Sequence, residues 1–385
     1  MNFPVEEYQL RVDILRRHMS DAAIDAVIIT DPISYYYFSG NRVDFNKLRP
    51  SFMLIPLDDE PVILTWAVRE TFANLYKYPF PSWVKYRRFY PDTPFSLEES
   101  TDWGLRSLIE ERGLDSSIIG MELGKDTRLG IPMNDVIKLR GDLPRCSFVD
   151  CGSIVWGCRM IKTGREIETI RKACNIGGKI WRKSFRELKV GTKVEDFQKI
   201  LNSYYIQNEV EISSPADLIV GSNGLSGPLR SGDILLVNGG PSVSGYRMDA
   251  TRRVAFGAPS EQQIREHRAA WDALNNVLSK IEVGARMSNL FHLANGELKK
   301  HGVRLFADHP AKRLGHGYGL ESEPPAMNAI DNTQLEQGMC IIVQPTFISS
   351  GDDGIVMAGE QIIVTASGYE VLTKEPSWEL LTVGP

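Results

Sequence analysis

Apolar residues recur at helical spacing at the start of the chain. Tyr8, Val12, Leu15 and Met19 fall on one stripe, which predicts a helix over residues 5–20. The run IDAVIIT (24–30) is apolar without alternation, as in a strand buried on both faces, and stops at the polar break Asp31–Pro32. SFMLIPLDDEPVILTW (51–66) holds two apolar runs around an acidic turn closed by Pro61 and predicts a hairpin. SIIGME (117–122) and RCSFVDCG (145–152) predict two further strands with a helical pattern between them. Strand and helix thus alternate over residues 1–157, the signature of a small α/β domain.

Beyond this point the pattern changes. RMIKTGREIETIRKACNIGGKIWRKSFREL (159–188) predicts a long amphipathic helix with Ile167, Ile170, Ala173, Cys174 and Ile180 on one face. Thr163, followed three residues later by Glu166, is suited to cap it. A second helix over 260–281 carries the stripe Ile264, Trp271, Leu274, Leu278 and Ile281, with Ser260 as its cap. A third, over 287–303, ends in basic residues and Gly302. Paired apolar strands follow the helices. DILLVN (233–238) pairs with GYRMDATRRVAF (245–256), and GMCIIVQPTFI (338–348) with GIVMAGEQIIVT (354–365). The recurrence of helices followed by paired strands predicts an α+β domain with an internal pseudo-repeat over 158–385.

Composition narrows the function classes. At 385 residues, 42% hydrophobic and 24% charged, the chain has room for two domains with sizeable cores. A net charge of −5 argues against a nucleic-acid or anionic-membrane partner, because both need concentrated Lys and Arg. No apolar run approaches the roughly 20 residues that span a bilayer. The N-terminal MNFPVEEYQLRVDILRRHM lacks the apolar core of a signal peptide. The five cysteines, Cys146, Cys151, Cys158, Cys174 and Cys340, match no zinc spacing and suit reduced thiols in a cytoplasmic protein.

The informative residues are polar ones set in the apolar strands. Asn238 ends DILLVN, and Asp249 follows 11 residues later. His316 lies between glycines in RLGHGYGLESEPP (313–325), where backbone can approach a ligand closely. Gln344 precedes Pro345, and Glu360 opens another apolar run. A polar group at the end of a buried strand needs a partner, since leaving it unpaired costs of order 1–3 kcal/mol. Two carboxylates in place of Asn238 and Asp249 would invite a divalent cation; one carboxylate and one amide do so only weakly. His309 lies near enough to His316 to be a further candidate.

Taken in order, these motifs resemble the pita-bread fold shared by methionine aminopeptidase, prolidase, aminopeptidase P and creatinase. They are GD…N with D.TR eleven residues on, GHGYGL…EPP, GM…QP and GE…VT.SGYEVLT. RMIKTGREIETIRKAC resembles the entry to the catalytic domain, and residues 1–157 the N-terminal domain of prolidases and creatinases. Metallopeptidases of this fold hold two ions with Asp, Asp, His, Glu and Glu. The resemblance carries those positions onto Asn238, Asp249, His316, Gln344 and Gly359, with Glu360 beside the last. With at most two carboxylates in place of four, it implies a lost dinuclear site, and no metal or cofactor is expected. The stretch IVGSNGLSGPLRSGD (219–233) has no histidine where these enzymes place one, and Ser322 replaces a second peptidase histidine. Thr251 stands where creatinases keep an acidic residue, which argues against creatine as substrate. NKLRPSFMLIPL (46–57) resembles the creatinase segment whose arginine, here Arg49, binds the substrate carboxylate across a homodimer interface.

The expected protein is therefore a metal-independent, creatinase-like hydrolase that cleaves a C–N bond in a small carboxylate-bearing molecule. Asp249 and Glu360 would hold its cationic or amide portion. Asn238, Gln344, Glu323 and Arg49 would complete substrate binding, and His316 would transfer the proton. Two alternatives stand beside it: a prolidase-type metallohydrolase with a single ion on Asp249, His316 and Glu360, and a non-catalytic binding module or lyase on the same fold.

Overall fold

The computed structural model describes residues 1–42, 49–67, 70–71, 82–91, 103–212, 216–221, 227–305, 313–351, 354–374 and 379–384. Two compact units, Met1–Cys158 and Arg159–Pro385, make up the chain. His309 and residues 46–48 of the creatinase-like segment lie outside the described residues.

The first unit is built on a six-stranded mixed sheet. Its order is Tyr86–Tyr90, Val62–Trp66, Phe52–Pro56, Ala26–Ile29, Ile118–Met121, Ser147–Asp150. The acidic-turn hairpin forms as its pattern predicts, with Phe52 opposite Leu64. All four residues of Ala26–Ile29 are buried, which is what an apolar run without alternation requires. The helix Val5–Asp21 buries Tyr8, Val12, Leu15 and Met19. Asp31 does more than break the strand. Its carboxylate accepts from the N–H groups of Ile33 and Ser34 at 3.0 and 2.9 Å and caps the helix Pro32–Ser39. The Arg49 guanidinium lies 6.0 Å from the centre of the Trp66 ring.

In the second unit the stretch 159–188 does not form one helix. A separate helix, Gly152–Met160, ends just before an isolated bridge between Ile161 and Met339. The long helix starts only at Gly164, where Thr163 and Glu166 form a capping box. A second box joins Ser260 to Gln263 at the head of Glu261–Leu278. This box displaces Ile264 from the expected apolar stripe. Gln263 takes the inward place, donating to the Gly232 carbonyl at 2.9 Å, and Ile264 stays 44% exposed.

Two sheets carry the polar residues. The first orders Leu381–Val383, Ala250–Phe256, Ile234–Gly239 and Asp217–Val220. The second orders Ser322–Ala326, Gly315–Tyr318, Cys340–Val343, Glu360–Thr365 and Gly368–Val371. Both strand pairings read from the sequence form, antiparallel in each case. Leu274, Val277, Leu290 and Phe291 of the helices pack with Ile341, Val343, Ile362 and Val364 of the strands. An isolated antiparallel bridge between Thr251 and Gly359 ties one sheet to the other, and the polar cluster gathers around it.

Candidate active site

Strand register decides the first part of the cluster. Asn238 lies directly opposite Thr251, and Gln344 leaves the Cys340–Val343 strand at its end. The Asn238 Oδ1 accepts from the Thr251 hydroxyl at 2.7 Å and from Gln344 Nε2 at 2.8 Å. The same Gln344 nitrogen reaches Thr251 Oγ1 at 3.1 Å. Asn238 Nδ2 donates to Asp217 at 3.3 Å. Two side chains expected to face a ligand therefore satisfy each other in a closed amide–hydroxyl ring.

Gly359 completes this ring by having no side chain. A Cβ there would come within 2.5 Å of Thr251 Oγ1, so a larger residue would have to displace the hydroxyl. Glu360, next along the strand, turns to the opposite face, as successive strand residues must. It accepts from Arg252 at 2.8 Å and from the Thr373 hydroxyl, and is buried there. Arg252 also donates to the carbonyls of Gly359 and Thr373, at 3.0 and 2.6 Å, and lies over Trp271. Glu360 is thus an ion-pair residue of the core, not a partner of Asp249. Glu323 needs a similar correction. Its carboxylate is buried with Lys162 on one oxygen and Arg159 on the other, so it is already engaged in ion pairs.

Asp249 and His316 remain as the groups with unused capacity. Asp249 is 5% exposed, and its Oδ1 has no hydrogen-bond partner. Burial raises its carboxyl to about 7; the charges of Arg247 and Arg313 oppose the rise and Asp217 adds to it. His316 Nδ1 lies 2.8 Å from the Gly317 carbonyl, which can only accept. Nδ1 therefore carries the proton, and Nε2 presents a bare lone pair. Burial, reinforced by Arg313, lowers the imidazole to about 4. At neutral pH His316 is uncharged, so the group that titrates near neutrality is a carboxyl and not, as expected, the imidazole. The Tyr318 ring lies tilted with its centre 5.6 Å from that of His316, and its hydroxyl is pushed well up by burial and by the Asp249 charge.

Gln361, absent from the sequence reading, holds Asp249 in place. Its Oε1 accepts from the Asp249 N–H at 2.9 Å, and its Nε2 donates to the Arg247 carbonyl at 3.2 Å. The side-chain amide acts as a one-residue strand beside 247–249. Alternation along Gly359–Gln361 places residues 359 and 361 on one face, a signal that pointed to Gln361 in place of Glu360.

The two units and the strand-borne cluster define a pita-bread hydrolase fold. The chain belongs to metallopeptidase family M24, whose model matches residues 168–366; residues 11–161 match the creatinase/prolidase N-terminal domain. An Xaa-Pro dipeptidase of Pyrococcus furiosus is 25% identical over 375 residues, covering 94% of this chain and 97% of that one. A peptidase of Staphylococcus aureus is 27% identical over 369 residues, covering 92% and 96%. The crystal structure of a dipeptidase from Pyrococcus horikoshii superposes with a TM-score of 0.81 at 20% identity, covering 97% and 100%. The expectation of a hydrolase acting on C–N bonds agrees with this membership, since the peptidases of the family cleave the peptide C–N bond.

The family's metal centre is a poor fit to these residues. Of the five positions, only Asp249 and His316 keep the ligand type, and the ring of Asn238, Thr251 and Gln344 already uses the Asn238 oxygen twice. Among the described residues no three His, Cys, Asp or Glu side chains converge on one point. Two dications would be left with one carboxylate to offset four charges. Among the described residues no helix is long and apolar enough to cross a membrane.

Proposed function

We propose that this protein hydrolyses a C–N bond in a small carboxylate-bearing molecule without a dinuclear metal centre. The observation that carries the reading is the closed ring of Asn238, Thr251 and Gln344, which leaves Asp249 and His316 as the groups able to move protons. His316 Nε2 takes a proton from water as its oxygen bonds to the carbon of the scissile bond. The C–N bond breaks with its electron pair passing to nitrogen, and the nitrogen takes the proton of Asp249. Solvent then returns the proton from His316 to Asp249. A neutral imidazole and a carboxyl that is protonated up to about pH 7 support this division of roles.

The test is turnover by chelator-treated protein whose metal content has been measured, on a panel of guanidino acids, cyclic amidine acids and Xaa-Pro dipeptides. Amine release from a panel member at far below one metal equivalent is expected. Activity seen only on Xaa-Pro dipeptides, and only after Mn²⁺ or Co²⁺ is restored, would replace this reading with a second one. The second is an Xaa-Pro dipeptidase with a single ion, and the 25% identity to the Pyrococcus furiosus enzyme favours it.

A further inference from the structure

The segment that carries Asp249 carries a second functional group. Arg247 and Asp249 are two residues apart on an extended stretch and therefore share a face. Gln361 clamps both ends of that stretch, as described above, and the Arg247 N–H donates to the Gly319 carbonyl at 3.2 Å. The arginine backbone is thus fixed on both sides. Its side chain is fixed as well: Nε donates to the Gly240 carbonyl at 3.2 Å. One terminal nitrogen lies 2.8 Å from where a Cβ on Gly239 would stand. Gly239 has a φ of +108°, so it is kept a glycine by conformation as well as by this contact. The guanidinium therefore packs over the strand next to Asn238, with the Tyr318 hydroxyl as a further partner.

Among the described residues this cation makes no ion pair, although its charge acts on Asp249. Arg159, Arg171 and Arg252 of the same unit are each paired with a glutamate. Arg247, half-buried and rigidly held, makes no ion pair among the described residues, and neither does Arg313, whose charge also acts on Asp249. A fixed guanidinium fork with its charge unmatched is suited to a carboxylate, which it can meet with two parallel hydrogen bonds. We propose that Arg247 is the anion anchor of the site. It would bind the carboxylate of a small substrate and so place the adjacent amide or amidine against Asp249. The proposal rests on the pocket being a small-molecule hydrolase site, but it concerns recognition and can be tested apart from turnover.

The test compares binding of N-acetylglycine and N-acetylglycinamide, which differ only in the carboxylate, by titration and ligand-observed NMR on the full chain. Wild type should prefer the acid by about tenfold or more. Arg247→Gln should abolish the preference while binding the amide as wild type does. Arg247→Lys, which keeps charge without the fork, should retain part of it and guards against a folding defect in the first variant. No binding of the acid to wild type, no preference in wild type, or a preference that survives Arg247→Gln would each overturn the inference. So would loss of the preference on Arg49→Ala alone, which would move the anchor to Arg49. Failure of the hydrolytic reading has a different signature: the acid is still preferred, but His316→Gln leaves turnover unchanged.

Discussion

Replacing Asp249 by Asn tests the protonation of the pocket directly. The ordinary value for such a carboxyl is 3.8, and burial raises it here to about 7. Between those values the unfolded chain is ionised at this residue while the native state holds the proton. The native state therefore binds more protons, and rising pH favours unfolding. The contribution is lost progressively from about pH 4 and fully by about pH 7. The separation of about three pH units, at roughly 1.4 kcal/mol each, amounts to about 4 kcal/mol; some 3 kcal/mol of it falls between pH 5 and pH 8. Asp249 is 5% exposed, so solvent screens little of this. Asn has the same shape and does not titrate. The variant should lose about 3 kcal/mol less stability than wild type on going from pH 5 to pH 8. Urea unfolding at several pH values, followed by fluorescence in which Trp181 and Trp271 report the second unit, measures the difference. The slope with pH is the readout, because any pH-independent effect of the new amide cancels. Parallel stability curves for the two proteins would mean that Asp249 is ionised in the native state, and the assignment of the carboxyl as proton donor would be wrong.

Other expectations follow from the same geometry. His316→Gln removes the bare Nε2 lone pair and should lower turnover by about 10²–10⁴-fold with the fold intact; near-wild-type rates would exclude the imidazole from proton transfer. If Asp249 must be protonated to donate, wild-type turnover should fall as pH rises through about 7, and a rate that climbs there would reverse the roles. Glu360→Gln leaves the buried Arg252 charge unbalanced and should cost about 3–5 kcal/mol of stability with little change in rate per folded molecule. A large loss of rate at unchanged stability would return Glu360 to the catalytic group. We propose a homodimer; a monomeric mass by light scattering would rule this out.

The order of elements was legible in the sequence because each signal is local. The buried run Ala26–Ile29, the hairpin at 52–66 and the caps at Thr163 and Ser260 depend on residues a few positions apart. The motifs around Asn238, Asp249, His316 and Gln344 could be read for the same reason, and with them the family. Position alone did not reveal which of these side chains remain available. That depended on long-range partners: Thr251 and Gln344 close on Asn238, Arg252 draws Glu360 to the far face, and Lys162 neutralises Glu323. The bridge between Thr251 and Gly359 joins the two sheets, so only the folded chain could show Gln361 gripping the Asp249 segment. Burial, a property of the whole packed unit, then moved the neutral-range titration from His316 to Asp249.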